Sequence, residues 1–158
     1  MFWKGKKMRS FQFDDSNVTW HSLEGIEHLE YFIYDVDEDA RIVDILFKLG
    51  ANQKVVTHKH LAPYKTLILQ GELRIYEPDG TLDEVRPVGS YVSTEVSGKP
   101  HTEGGGNDDV IAFFSIRNIG ETAFELLDDE FNTVAKLGLQ EFNDLWQAQT
   151  KAAYELGN

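Results

Sequence analysis

The stretch Thr57-His58-Lys59-His60, answered some forty residues later by Glu95-Val96-Ser97-Gly98-Lys99-Pro100-His101, decides how this chain is read. On a β-strand the side chains at i and i+2 share a face, so His58 and His60 project together, with Cα atoms about 6.5 Å apart. Two imidazoles at that spacing can converge on one ion, and neutral imidazole is available near neutral pH because its unperturbed pKa is about 6.5. A third ligand has to come from a neighbouring strand. His101 supplies it if hairpins bring residues 90–101 alongside. Three imidazoles leave coordination positions open, as a catalytic metal requires, whereas a structural zinc is closed by four protein ligands.

Working outward, the chain reads as many short strands separated by turn signals, the pattern of an antiparallel sandwich or barrel. Residues 10–13 and 18–23 are short extended candidates. Residues 29–35 and 41–47 form a hairpin across the acidic turn Asp37-Glu38-Asp39. Residues 55–60 and 66–76 follow, the second broken by Gly71, and Pro78-Asp79-Gly80 is a strong turn. Residues 81–86 and 90–94 are strands on either side of the corner Pro87-Val88-Gly89. Gly104-Gly105-Gly106-Asn107-Asp108 is expected to be the loosest loop of the chain, and 110–116, apolar at nearly every position, a strand buried on both faces; 123–127 adds one more. Beyond Leu137 the period changes: Leu139, Phe142, Leu145, Trp146, Ala152, Ala153 and Leu156 lie on one helical stripe, so 139–156 is an amphipathic helix packed on the barrel or on a partner subunit. The organisation is an N-terminal arm at 1–9, a β-barrel at 10–136 and the helical region at 137–158.

Composition narrows the function. At 158 residues, 41% of them hydrophobic and 12% aromatic, the chain suits one domain with its own core. A formal net charge of -12 argues against nucleic acid and anionic membrane surfaces, where Lys and Arg must neutralise phosphate. No cysteine is present, so thiolate ligands, disulfides and a cysteine nucleophile are excluded and any metal must sit on histidine and carboxylate. The basic N-terminus has no apolar run behind it, and no stretch is long enough to span a bilayer. A reducing, cytoplasmic setting is the expectation.

His58-Lys59-His60 followed by Gly71 after Leu67-Ile68-Leu69-Gln70 resembles the first motif of the cupin superfamily, and Pro87-Val88-Gly89-Ser90-Tyr91 with a later histidine, His101, resembles its second. The resemblance covers about residues 40–118. It implies an all-β, single-domain double-stranded β-helix, a jelly-roll barrel, with a C-terminal helix. The first cupin motif carries a glutamate that falls here at Tyr64 or Lys65, neither a carboxylate, so the resemblance narrows to the small three-histidine cupins similar to acetylacetone dioxygenase and to the cupin domains of some anti-sigma factors. In those dioxygenases a glutamate six residues before the last histidine acts outside the metal's ligand set, and Glu95 stands in that place.

The resemblance thus implies one divalent metal, Fe(II) favoured with Zn, Mn or Ni as alternatives, on His58, His60 and His101, with Glu95 hydrogen-bonding to a ligand or to metal-bound water. Glu103 and Asp108 read as surface charges near the mouth. Tyr64, Tyr76, Tyr91, Phe113 and Phe114 are candidate pocket residues, and Lys65 and Arg74 candidate anion contacts; each is also explained as core or surface. The implied function is a dioxygenase cleaving a carbon–carbon bond in a β-diketone or hydroxy-ketone, with O2 and a small molecule as partners and a homodimer or homotetramer as the assembly. A metal-dependent isomerase or hydrolase, and a non-catalytic metal or small-molecule sensor, stay open.

Overall fold

The structure is a computed structural model that describes residues 11–157; the arm expected at 1–9 lies outside the described residues. Among the described residues, twelve strands precede one helix. The hairpin at the acidic turn forms as β2 (Leu29–Asp37) and β3 (Ile42–Leu49), and β1 (His21–Ser22) adds a short edge to β2. Then come β4 (His58–His60), β5 (Tyr64–Gln70), β6 (Glu72–Tyr76), β7 (Leu82–Pro87), β8 (Tyr91–Thr94), β9 (Thr102–Gly105), β10 (Val110–Ile116), β11 (Phe124–Leu127) and β12 (Thr133–Leu137).

One sheet runs β1-β2-β3-β10-β5-β8. Facing it are two three-stranded ribbons, β12-β11-β4 and β7-β6-β9. An antiparallel bridge between His58 and His101 joins the ribbons, so the second layer reads β12-β11-β4-β9-β6-β7. From β3 to β11 the chain crosses repeatedly between the layers, which is the jelly-roll topology. Its inner faces are filled by alternate residues: Val43, Ile45 and Leu49 of β3, Phe114 and Ile116 of β10 and Ile68 of β5 are all buried in one cluster. Each such side chain contributes about 1.5–3 kcal/mol on burial.

Two glycines are dictated by this layout. Gly71 turns the chain from β5 in one layer to β6 in the other at φ +67, where a Cβ would also meet the Asp109 carbonyl oxygen at 2.8 Å. Gly104 lies inside β9, and a Cβ there would fall 1.6 Å from the Gln53 carbonyl oxygen. The Gly-rich segment is therefore not the loose loop expected from composition. Residues 102–106 are all buried, because the backbone of Gln53 and Lys54 lies directly on Gly104 and only a strand without a side chain fits beneath it.

The helix α1 (Leu139–Leu156) has the limits expected from its apolar stripe. The Glu141 carboxylate accepts the Gly138 backbone N–H at 3.0 Å and so caps its first turn. Phe142 is 2% exposed and meets Phe124 edge-on at 6.0 Å. Gln149 is a second anchor: its side-chain carbonyl accepts the Ile33 N–H at 3.0 Å and its amide donates to the Ile33 carbonyl at 2.8 Å. The side chain thus continues the ladder on the edge of β2 beyond the reach of the two-residue β1. Gln149→Leu leaves both backbone groups of Ile33 unpaired and is expected to lower stability by about 2–4 kcal/mol, read as a lower urea midpoint at unchanged slope.

Candidate metal centre

The second layer places the histidines. His58 is opposed to Leu126 of β11 on one side and to His101 on the other, exchanging both backbone bonds with His101 at 2.9 and 3.0 Å. The i and i+2 rule then sets His60 beside His58, both pointing into the barrel and buried. Ring centroids are 5.1 Å apart for His58–His60, 4.5 Å for His58–His101 and 4.9 Å for His60–His101. His58, His60, His101 and Glu103 each offer a ligand atom, and all four atoms lie within 4.8 Å of one another.

The tautomers follow from the backbone. His58 Nδ1 is 2.8 Å from the Val56 carbonyl and His101 Nδ1 is 3.2 Å from the Lys99 carbonyl. A carbonyl can only accept, so both Nδ1 atoms donate and both Nε2 atoms face the cluster. His60 is held by packing instead, stacked on Tyr64 at 4.2 Å and on His101 at 4.9 Å, with Phe124 tilted against it at 4.8 Å. Its Nε2 is buried without a hydrogen-bond partner among the described residues. A buried acceptor left unmatched costs about 1–3 kcal/mol. Divalent metal bound by the three Nε2 atoms would satisfy it, and the donor set of imidazole and carboxylate suits Fe, Zn, Mn or Ni.

The carboxylate of the cluster is Glu103, which corrects the expectation for Glu95. Glu95 is exposed at the end of β8, where the chain leaves the sheet for the 95–100 connection with Gly98 at φ +64. Glu103 stands two residues beyond His101 at the start of β9, shares its face, is 7% exposed, and sets Oε1 3.5 Å from His58 Nε2. The signal was in the sequence: His101-Thr102-Glu103 obeys the same alternation as His58-Lys59-His60.

Electrostatics bind the four groups together. Burial alone would raise Glu103, but the His58 hydrogen bond and charge hold it down at about 2. Burial opposes protonation of His58, yet Glu103 and the Val56 carbonyl lift it above the usual histidine range. His60 is driven well below that range by burial and then by the charge on His58, and His101 is lowered chiefly by burial. Without metal, a proton on the centre is therefore favoured on His58 over His60 and His101. Metal competes with that proton, so affinity is expected to fall as the pH drops through the raised His58 value, with protons released on uptake there. Titration of the metal at several pH values, with proton release measured, checks this.

The other candidates separate cleanly. Tyr64 packs on His60, with Phe114 stacked behind it at 5.6 Å. Phe113 lies against Tyr34 at 6.2 Å and Tyr91 is 60% exposed, while Asp108 is a surface charge. Lys65 donates to Ser93 at the surface and Arg74 pairs with Glu72. The arginine near the centre is Arg86, which the sequence reading passed over. It is 6% exposed, grips Glu84 through Nε and Nη2, and donates from Nη1 to Thr66 Oγ1 at 3.1 Å. It faces inward because it is paired with the buried Leu73 across the β6–β7 ladder. The alternation of Glu84 and Arg86 against Leu73 and Ile75 was the available signal.

No protein-family model and no curated protein matches the chain. Solved structures do. An RmlC-like cupin protein from Ralstonia eutropha aligns at 21% identity over 88% of this chain and 85% of its own, with a TM-score of 0.70. An acetylacetone dioxygenase from Acinetobacter johnsonii aligns at 17% identity over 94% and 99%, with a TM-score of 0.66. The anti-sigma protein ChrR in complex with SigE from Rhodobacter sphaeroides aligns at 20% identity over 64% and 50%, with a TM-score of 0.51. With two facing layers that exchange strands along the chain, and with a backbone that follows these structures over most of its length, this chain has the cupin fold.

Proposed function

We propose that the protein is a metal-dependent enzyme, a non-haem Fe(II) dioxygenase that cleaves a carbon–carbon bond in a β-diketone or hydroxy-ketone. The observation that carries the reading is the convergence of His58, His60 and His101 on one buried point, with His60 Nε2 unpartnered among the described residues. Likeness to an acetylacetone dioxygenase supports the reaction class. The three Nε2 atoms hold the ion. The Val56 and Lys99 carbonyls fix two of the rings, and Tyr64 and Phe124 fix the third while keeping bulk water from it. Glu103 offers a hydrogen-bond acceptor to a protic ligand group. When bound, the metal supplies Lewis acidity that favours the enolate of a chelated dicarbonyl, together with redox chemistry toward dioxygen. Assembly as a homodimer or homotetramer in the cytoplasm belongs to the same proposal; no helix among the described residues is long and apolar enough to cross a membrane.

The test is metal analysis of protein purified without added ions, followed by oxygen uptake on simple diketones with Fe(II). Uptake that is lost in His101→Ala is the expected result. Tight zinc with no turnover on a broad panel would remove the dioxygenase and favour a sensor.

A further inference from the structure

The centre stands between two cavities of opposite character. Past His58 and Glu103 lies a cavity of about 50 Å³ whose other walls are all apolar, with Ile26 and Leu29 from the segment around β2, Phe47 from β3 and Phe124 and Leu126 from β11 among them. Past His101 lies one of about 150 Å³ walled by Tyr64, Glu84, Arg86 and the ion-paired Lys99 and Glu77. Tyr64 fills the space between His60 of the imidazole triangle and Phe114. A ligand at the centre therefore meets hydrocarbon on one side and charge on the other.

The sizes and chemistry limit what each side takes. An apolar cavity of about 150 Å³ holds a benzene ring, so the apolar one here, at about 50 Å³, holds a group of about two carbons. Glu103, set against His58 in its wall, repels an anionic substituent, and ten apolar residues offer a polar one no partner. The opposite side is built for polarity: Arg86 and Lys99 stand there with Glu84 and Glu77 as counter-charges.

We infer that the substrate is an unsymmetrically housed dicarbonyl: two oxygens at the centre, a methyl or ethyl terminus in the apolar cavity beside His58, and the other terminus in the polar mouth beside Arg86 and His101. This rests on the centre being a metal site that chelates a dicarbonyl. Ile26 and Leu126 then set the length of the buried terminus. Ile26 belongs to the turn that closes with its N–H on the Leu23 carbonyl at 3.0 Å, and Leu126 stands opposite His58.

Binding without turnover tests it. The full chain is loaded with Fe(II) under anaerobic conditions and titrated with diketones whose two ends are both methyl, both ethyl, both propyl or both phenyl, followed by the metal–diketonate absorption band. Ethyl is expected to bind about fourfold more tightly than methyl, the value of one buried methylene, and phenyl at least tenfold more weakly than ethyl. Ile26→Ala and Leu126→Ala should each move the optimum to propyl or beyond. Ile26 is half-buried in a turn, so that variant stays folded even if Leu126→Ala does not. An affinity that climbs with chain length in the parent, or a profile unmoved by Ile26→Ala, overturns the inference while leaving the dicarbonyl reading in place. A band that no diketone perturbs overturns both.

Discussion

Gly104→Ala is expected to abolish folding. The added methyl would sit 1.6 Å from the Gln53 carbonyl oxygen, less than half of a van der Waals contact, and the obstacle is backbone that cannot rotate away. The Gln53 segment is itself held down, since Asn52 donates its N–H to the Gly106 carbonyl and Val55 donates to that of Glu103. Relief would need β9 or residues 50–55 to leave the barrel, and both carry core contacts. The loss should exceed about 4 kcal/mol, beyond the ordinary range for a single substitution. Gly89→Ala is the control. It has φ +82 but nothing within 4 Å of the new methyl, so only the left-handed strain of about 1–2 kcal/mol applies. Soluble yield, circular dichroism and thermal midpoint separate the two. A folded Gly104→Ala with a midpoint near that of Gly89→Ala would mean that the close approach of Gln53 is wrong.

His60→Leu is expected to move metal binding and stability in opposite directions. Losing a contact that merely orients a ligand costs ten- to a hundredfold in metal affinity; losing the ligand itself should cost at least about 100-fold. In metal-free protein the same change removes a buried nitrogen that has no partner among the described residues and places a side chain of similar bulk against Tyr64 and Phe124. The metal-free form should then gain about 1–3 kcal/mol, the cost of an unsatisfied polar group. Metal titration and urea unfolding with chelator provide the two readouts. Unchanged metal affinity with a fall in stability would assign His60 to packing and not to the centre.

Much of the barrel is readable from local pattern. Residues 110–116 are apolar at every position but Ser115, and they become β10, central in its sheet and flanked by β3 and β5. The stripe at 139–156 becomes α1 because its period matches a helix and nothing interrupts it. Short strands were harder. Residues 55–60 yield only three in β4, and 133–137, which carry no strong alternation, form β12 by pairing with β11. The Gly-rich run at 104–106 was misjudged because glycine signals either freedom or crowding, and which applies depends on Gln53, far away in sequence.

The pairing of His58 and His60 on one face follows from the two-residue period of a strand, and the absence of cysteine limits the centre to imidazole and carboxylate. Which partners join them is set by the way distant strands meet. His101 arrives through a bridge across two ribbons, and Glu103, not Glu95, arrives with it because β9 starts beneath residues 50–55 while the 95–100 connection swings outward. Alternation along a strand is local and is written in neighbouring residues. The place where a strand begins is set by backbone hydrogen bonds to distant segments, and no local pattern encodes them.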